Sequence, residues 1–142
     1  MTRIDFYILP QTAERERALF ACRLAEKAWL QDYRIYIHTG SAAAARELDE
    51  LLWTFRAGSF LPHALADADP GEFPPPVLVG HDREPETHTD LLINLAPEVP
   101  TFFSRFARLA EVLDQQPERL AGGRERYRFY QERGYPLHSH KL

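Results

Sequence analysis

The residues with the most capacity for specific chemistry form one run near the end of the chain: Arg124-Glu125-Arg126-Tyr127-Arg128-Phe129-Tyr130-Gln131-Glu132-Arg133. Four arginines stand against two glutamates in a chain whose formal net charge is -4. On a helix, Arg124, Tyr127 and Arg128 are spaced i, i+3, i+4 and share one face. Two guanidinium forks around a phenol ring suit a carboxylate attached to an apolar or aromatic group. The same pattern also describes an ordinary solvated helix with a pair such as Glu125 with Arg128, and spacing alone favours that plainer reading. Arg126, Phe129 and Tyr130 turn away from this face, and Phe129 is expected to be buried.

Other chemistry is mostly excluded. The turn after the first predicted strand reads Leu9-Pro10-Gln11-Thr12 and has no glycine cradle. The second reads Thr39-Gly40-Ser41, too short for a phosphate loop and without its lysine. No Gly-x-Ser-x-Gly elbow is present. Six histidines raise the question of a metal. His81 and His88 share a polar loop, and His138 and His140 lie near the end, but neither pair has a known ligand spacing on a rigid frame. We therefore expect no catalytic residue, metal or cofactor, and no nucleotide hydrolysis. His38 stands at the end of a strand, where related folds place ligands. A structural histidine is the plainer reading. Cys22 reads as buried filler.

A second unusual stretch runs from Leu48 to His63. Leu48, Leu51, Leu52 and Phe55 are spaced i, i+3, i+4, i+7 on one helical face. Trp53 falls roughly 140° from the centre of that face, among Arg46, Asp49, Glu50 and Arg56. Phe60-Leu61-Pro62-His63 follows the turn at once. A tryptophan on a polar face beside an apolar loop needs a cover, either a partner or a returning segment of the same chain.

These groups must be positioned by a fold of 142 residues, 44% hydrophobic and 27% charged, which is enough for one domain with a real core. The acidic balance, with a pI near 5.9, argues against binding nucleic acid over the whole surface. A single cysteine excludes an internal disulfide and fits a reducing compartment. No signal peptide is read at the N-terminus, and no apolar run approaches the ~20 residues that span a bilayer. A cytoplasmic, soluble protein is expected.

Ile4–Leu9 and Arg34–Thr39 read as strands, followed by helices over 13–31 and 42–55. Thr12 and Ser41 are the expected N-caps. Residues 57–76 read as a long loop, part of it near Phe60 to His63 packed on the body. Val77–Val79 and Asp90–Leu95 read as further strands. Phe102, Phe106, Leu109 and Leu113 then suggest a helix from Thr101. Pro117 starts the last helical stretch, Gly122-Gly123 interrupts it, and residues 134–142 read as a flexible tail. The alternation predicts an α/β fold: one three-layer domain over 1–133 with a mainly parallel central sheet, Rossmann-like but lacking a phosphate-binding loop.

Several of these pieces recur together in one family. Asp5-Phe6-Tyr7-Ile8-Leu9, Leu48-Asp49-Glu50-Leu51-Leu52-Trp53, Ser59-Phe60-Leu61-Pro62-His63, Asp90-Leu91-Leu92-Ile93-Asn94-Leu95 and Arg124-Glu125-Arg126-Tyr127-Arg128 stand in this order. The chain resembles the DNA polymerase III chi subunit family across nearly its whole length. The resemblance implies a non-catalytic accessory protein of the clamp-loader complex at the replication fork. One surface would hold the psi subunit, and it falls on Trp53, Phe60, Pro62 and His63. Another would take the acidic, Phe-terminated tail of single-stranded DNA-binding protein (SSB), and it falls on Arg124, Tyr127 and Arg128. The family more often carries lysine at the position of Arg128, which keeps the charge but changes the donor geometry. DNA would be met only through SSB, with no membrane contact. A repair helicase on the psi-side surface is one alternative. A small nucleotide-handling α/β enzyme is another, disfavoured by the missing glycine loops.

Overall fold

The computed structural model describes residues 1–68 and 71–142. Positions 69 and 70, within the predicted loop, lie outside the described residues. Among the described residues, seven strands and three α-helices follow in the order β1 (Arg3–Ile8), α1 (Glu14–Trp29), β2 (Ile35–His38), α2 (Ala42–Thr54), β3 (His63–Leu65), β4 (Val77–Gly80), β5 (Leu91–Asn94), β6 (Arg108–Leu113), α3 (Pro117–Glu132) and β7 (Leu137–Lys141). The strands form one sheet in the order β3-β4-β2-β5-β6-β1-β7, and every recorded pairing is parallel.

Strand alternation divides the core. Ile35 and Ile37, Val77 and Val79, Leu91 and Ile93 face α1 and α2 with Ala21, Ala25, Leu48 and Leu52. Tyr36, Leu78 and Leu92 face the opposite way, into a cluster with Phe6, Phe103, Leu109 and Tyr130 of α3. Successive side chains of a strand point to opposite faces, so a strand covered by helices on both sides is apolar throughout. The result is the expected three-layer α/β domain. Ser41 caps α2 by accepting from the Ala44 N–H, 3.1 Å away. Pro117 opens α3, where Gln116 accepts from the Arg119 N–H at 2.8 Å.

The structure corrects the sequence reading in several places. The segment after Thr101 is not a helix. Phe103–Arg105 makes one 3-10 turn, and Arg108–Leu113 is β6, a strand with neighbours on both sides. Leu109, Glu111 and Leu113 alternate with Ala110 and Val112, and all five are buried. The charged Glu111 hid the two-residue period, and the phenylalanines suggested a helical one. Gly122-Gly123 does not interrupt α3. A Cβ at Gly123 would lie 2.4 Å from Leu113 Cδ1, so the glycine lets the helix lie close on β6. Tyr130 is fully buried, whereas Phe129 is partly buried and packs against the same cluster, so the expected burial of Phe129 is met only in part. Thr12 caps nothing: Ala13 precedes α1, with no side-chain cap. The long loop contains the short edge strand β3. The segment read as a tail carries β7, paired in register with β1 from Ile4↔Leu137 to Ile8↔Lys141.

Candidate functional site: two surfaces at opposite edges of the sheet

Parallel α/β folds place ligands beyond the carboxyl ends of their strands. Here the chain's own guanidinium groups occupy much of that position. Arg17 is buried on α1 and donates from Nε to the Val112 carbonyl and from Nη2 to the Leu95 carbonyl, each at 2.8 Å. Burial lowers its pKa, and Glu14, 2.9 Å from Nη1, opposes that shift. Arg119 holds both oxygens of the buried Asp114 at 2.8 and 2.7 Å. Arg126 donates to Glu111 at 3.0 Å and to the Pro97 carbonyl at 2.7 Å. These arginines satisfy strand-end carbonyls and buried carboxylates.

The histidines are dispersed. His88 is fully buried between Thr87 and the Pro75 carbonyl. His140 reaches Asp5 at 2.9 Å and stacks on Tyr7. His38 ends β2 and packs edge-on to Phe102. Burial, then the nearby His81, pushes its pKa down. No group of three or more His, Cys, Asp or Glu among the described residues could hold a metal. Cys22 is buried, and burial raises its thiol to about 12. Among the described residues, no helix is long and apolar enough to cross a membrane.

The first surface lies where α2 turns into β3. Trp53 is 64% exposed and Phe60 83% exposed, in a fold that buries most of its large apolar side chains. Pro62 is exposed beside them. His63 differs from its expected placement: it is buried beneath the surface, with its ring 4.3 Å from the indole of Trp53. Its ring nitrogens meet the Leu61 carbonyl at 2.8 Å and the Asp49 carbonyl at 2.9 Å. His63 therefore pins the start of β3 to α2 and supports the indole from below. Gly58 takes a φ of 79° in the intervening turn. Arg56 and Ser59 both bond to Glu26 of α1, which fixes that turn.

The second surface is a groove of about 700 Å³ between α3 and the β1–β7 edge. Arg124 and Tyr127 line it, with Phe6, Leu113 and Gly123 among its apolar walls. The Tyr127 ring packs edge-on to Phe6 at 5.2 Å, which sets its angle. Arg128 is exposed on the next turn and does not line the groove. The structure thus brings two of the three expected residues to one cavity. Sequence reading missed Lys141, which lines the same groove from β7. Its signal was hidden because residues 134–142 were read as a tail. No ion pair involves Arg124, Arg128 or Lys141 among the described residues, so the alternative pairing of Glu125 with Arg128 does not form. With β3 and β7 at opposite ends of a seven-stranded order, strand spacings of about 4.8 Å put roughly 29 Å of sheet between the two edges.

The fold and these two surfaces define a Rossmann-like α/β protein with no glycine phosphate loop, open aromatic groups at one edge and free cations at the other. A solved structure with similar architecture is that of T4 UvsW, with a TM-score of 0.67 over 99% of this chain at 9% identity. The chain spans only 41% of that protein, and the likeness is one of fold alone. The family model described as DNA polymerase III chi subunit, HolC matches residues 1–138. The DNA polymerase III subunit chi of Pseudomonas aeruginosa is 45% identical over 142 residues, covering 100% of this chain and 98% of that one. Those of Haemophilus influenzae and Escherichia coli are 30% and 28% identical, over 94% and 98% of this chain and 92% and 97% of their own lengths. The chain belongs to the DNA polymerase III chi subunit family.

Proposed function

We propose that this protein is a non-catalytic adaptor of DNA polymerase III that joins the psi subunit, and through it the clamp loader, to SSB. The observation that carries the reading is the exposure of Trp53 and Phe60 at one sheet edge, with the uncompensated Arg124 and Lys141 at the other. Aromatic anchors are the residues that dominate protein interfaces, so Trp53, Phe60 and Pro62 form the psi-side patch, with His63 holding the indole in place. The groove beside α3 takes the SSB tail. Its apolar walls accept the terminal aromatic ring, Arg124 meets the terminal carboxylate, and Tyr127 borders the pocket. Arg128, outside the groove, attracts the preceding aspartates as a more distant charge.

Calorimetric titration of an SSB-tail peptide tests this. Arg124→Ala removes a charged hydrogen bond of about 2 kcal/mol, or roughly 30-fold in affinity. Psi binding by the same variant should be unchanged. Equal peptide affinity in both proteins would remove Arg124 from the site.

A further inference from the structure

The groove beside α3 is built partly from β7, whose sequence offers little to hold it. His138, Ser139 and Lys141 are exposed, and only Leu137 and His140 are partly buried. β7 ends the strand order, so β1 is its only strand neighbour among the described residues. Side chains alternate along a strand. Ser139 and Lys141 line the groove together with Phe6 and Ile8, their partners in register on β1. The charged lining residues are Arg124 and Lys141, with no aspartate or glutamate among them. Lys141 is thus one of the two cations that the groove offers to an acidic peptide, and it is borne by an edge strand.

The opposite face of β7 carries a fastening. His140 Nε2 lies 2.9 Å from a carboxylate oxygen of Asp5 on β1. Its ring stacks on Tyr7, with centroids 4.8 Å apart, and Tyr7 packs on Phe20 of α1 at 5.3 Å. Asp5 is 1% exposed and is also held by Arg3 at 3.2 Å and Arg108 at 3.0 Å. Burial raises its carboxyl, but hydrogen bonds from His140, Arg108 and Arg3 outweigh burial and keep it ionised. An ionised carboxylate only accepts, so His140 donates and the bond is charge-assisted. Backbone pairing sets the register of β7, but segments near a chain end fray unless they are tied down. His140 ties β7 to a carboxylate that two arginines already hold in place.

We infer that His140 is a positioning residue of the tail groove: its bond to Asp5, on the face of β7 away from the groove, fixes the strand that presents Lys141 to the acidic peptide. The inference rests on the proposed SSB-tail role of the groove and adds the residues that set its second cation.

The test is calorimetric titration of an SSB-tail peptide into the full chain at low salt. Lys141→Ala removes one exposed charge contact and should weaken binding about fivefold. His140→Ala keeps the lysine but frees its strand, and should cost about threefold. In the Lys141→Ala background the same change should cost less than about 1.5-fold, because both act through one contact. In the Arg124→Ala background it should still cost about threefold. His140→Gln retains an N–H donor toward Asp5 and should recover more than half of the loss. His140→Val, a better strand former without a donor, should behave as His140→Ala does, which separates the bond from strand propensity. Thermal unfolding and binding of the cognate psi subunit should show every variant folded. Equal affinity of Lys141→Ala and wild type, an equal cost of His140→Ala with and without Lys141, or His140→Gln as weak as His140→Ala would overturn the positioning role and leave the tail site standing on Arg124. If wild type does not bind the peptide, the tail site falls and the positioning role falls with it.

Discussion

Replacing Arg126 with alanine should destabilise the fold far more than replacing any other arginine of its run. Arg126 is 6% exposed, and its partner Glu111 is fully buried on β6. Glu111 also accepts from the Tyr130 hydroxyl at 2.7 Å and from the Asn94 amide at 3.0 Å. Burial and then the charge of Glu111 push the Tyr130 phenol well above its ordinary range, so it remains a donor. Arg126→Ala leaves a buried carboxylate with two neutral donors and strips the Pro97 carbonyl of its partner. Breaking a buried ion pair by removing one member costs about 3–5 kcal/mol. For a chain of this size that lowers Tm by about 10–17 °C. Arg124→Ala and Arg128→Ala remove exposed, unpaired side chains and should shift stability by no more than about 0.5 kcal/mol. Urea unfolding followed by circular dichroism measures all three. The double change Arg126→Met/Glu111→Gln, which removes both charges, should recover more than half of the loss. A cost for Arg126→Ala below about 1 kcal/mol would refute the view that this pair anchors α3 to the sheet.

Acid should unfold the protein through Asp5 and Asp114. Burial raises each carboxyl, but hydrogen bonds from His140, Arg108 and Arg3 to Asp5, and from Arg119 to Asp114, outweigh it and hold both below their ordinary value of 3.8. A depressed carboxyl stabilises the fold fully above its unfolded value and loses that contribution as pH falls from there through the folded value. Stability should therefore be retained from neutrality to about pH 5 and drop steeply below pH 4, with a shallower drop in Asp114→Asn. Cys22, with its thiol raised to about 12, should resist a thiol reagent at pH 8 in the native state and react once urea unfolds the chain. Fast native labelling would show that the α1 face opens locally.

Much of the fold was legible because its signals are local. The runs Ile35–Ile37, Val77–Val79 and Leu91–Ile93 are apolar on both faces and could only be buried parallel strands. Ser41 stands at the start of a helix as a capping residue should. The failures were tertiary. β6 contains Glu111, whose charge is tolerated only because Arg126, Tyr130 and Asn94 converge on it, and nothing in the local sequence announces that convergence. Gly123 looked like a helix break because its close approach to Leu113 is visible only in space. β7 has almost no apolar pattern, Leu-His-Ser-His-Lys, and exists through backbone pairing with β1. Losing β7 from the reading also lost Lys141 from the tail groove. The angle of Trp53 to the leucine stripe put it on the polar face but left open whether the chain itself covers it; its exposure, and the burial of His63 beneath it, are visible only in space.

The central claim is that two partners bind this chain independently, at edges roughly 29 Å apart. The most direct measurement is titration of an SSB-tail peptide into the free chain and into its preformed complex with the psi subunit, for wild type, Trp53→Ala and Arg124→Ala. Wild type should bind the peptide with the same affinity and one-to-one stoichiometry whether or not psi is present. Trp53→Ala should lose psi by about 2 kcal/mol or more and keep the peptide, and Arg124→Ala should do the reverse. Competition between psi and the peptide, or loss of both partners from either single variant while the fold stays intact, would contradict the account.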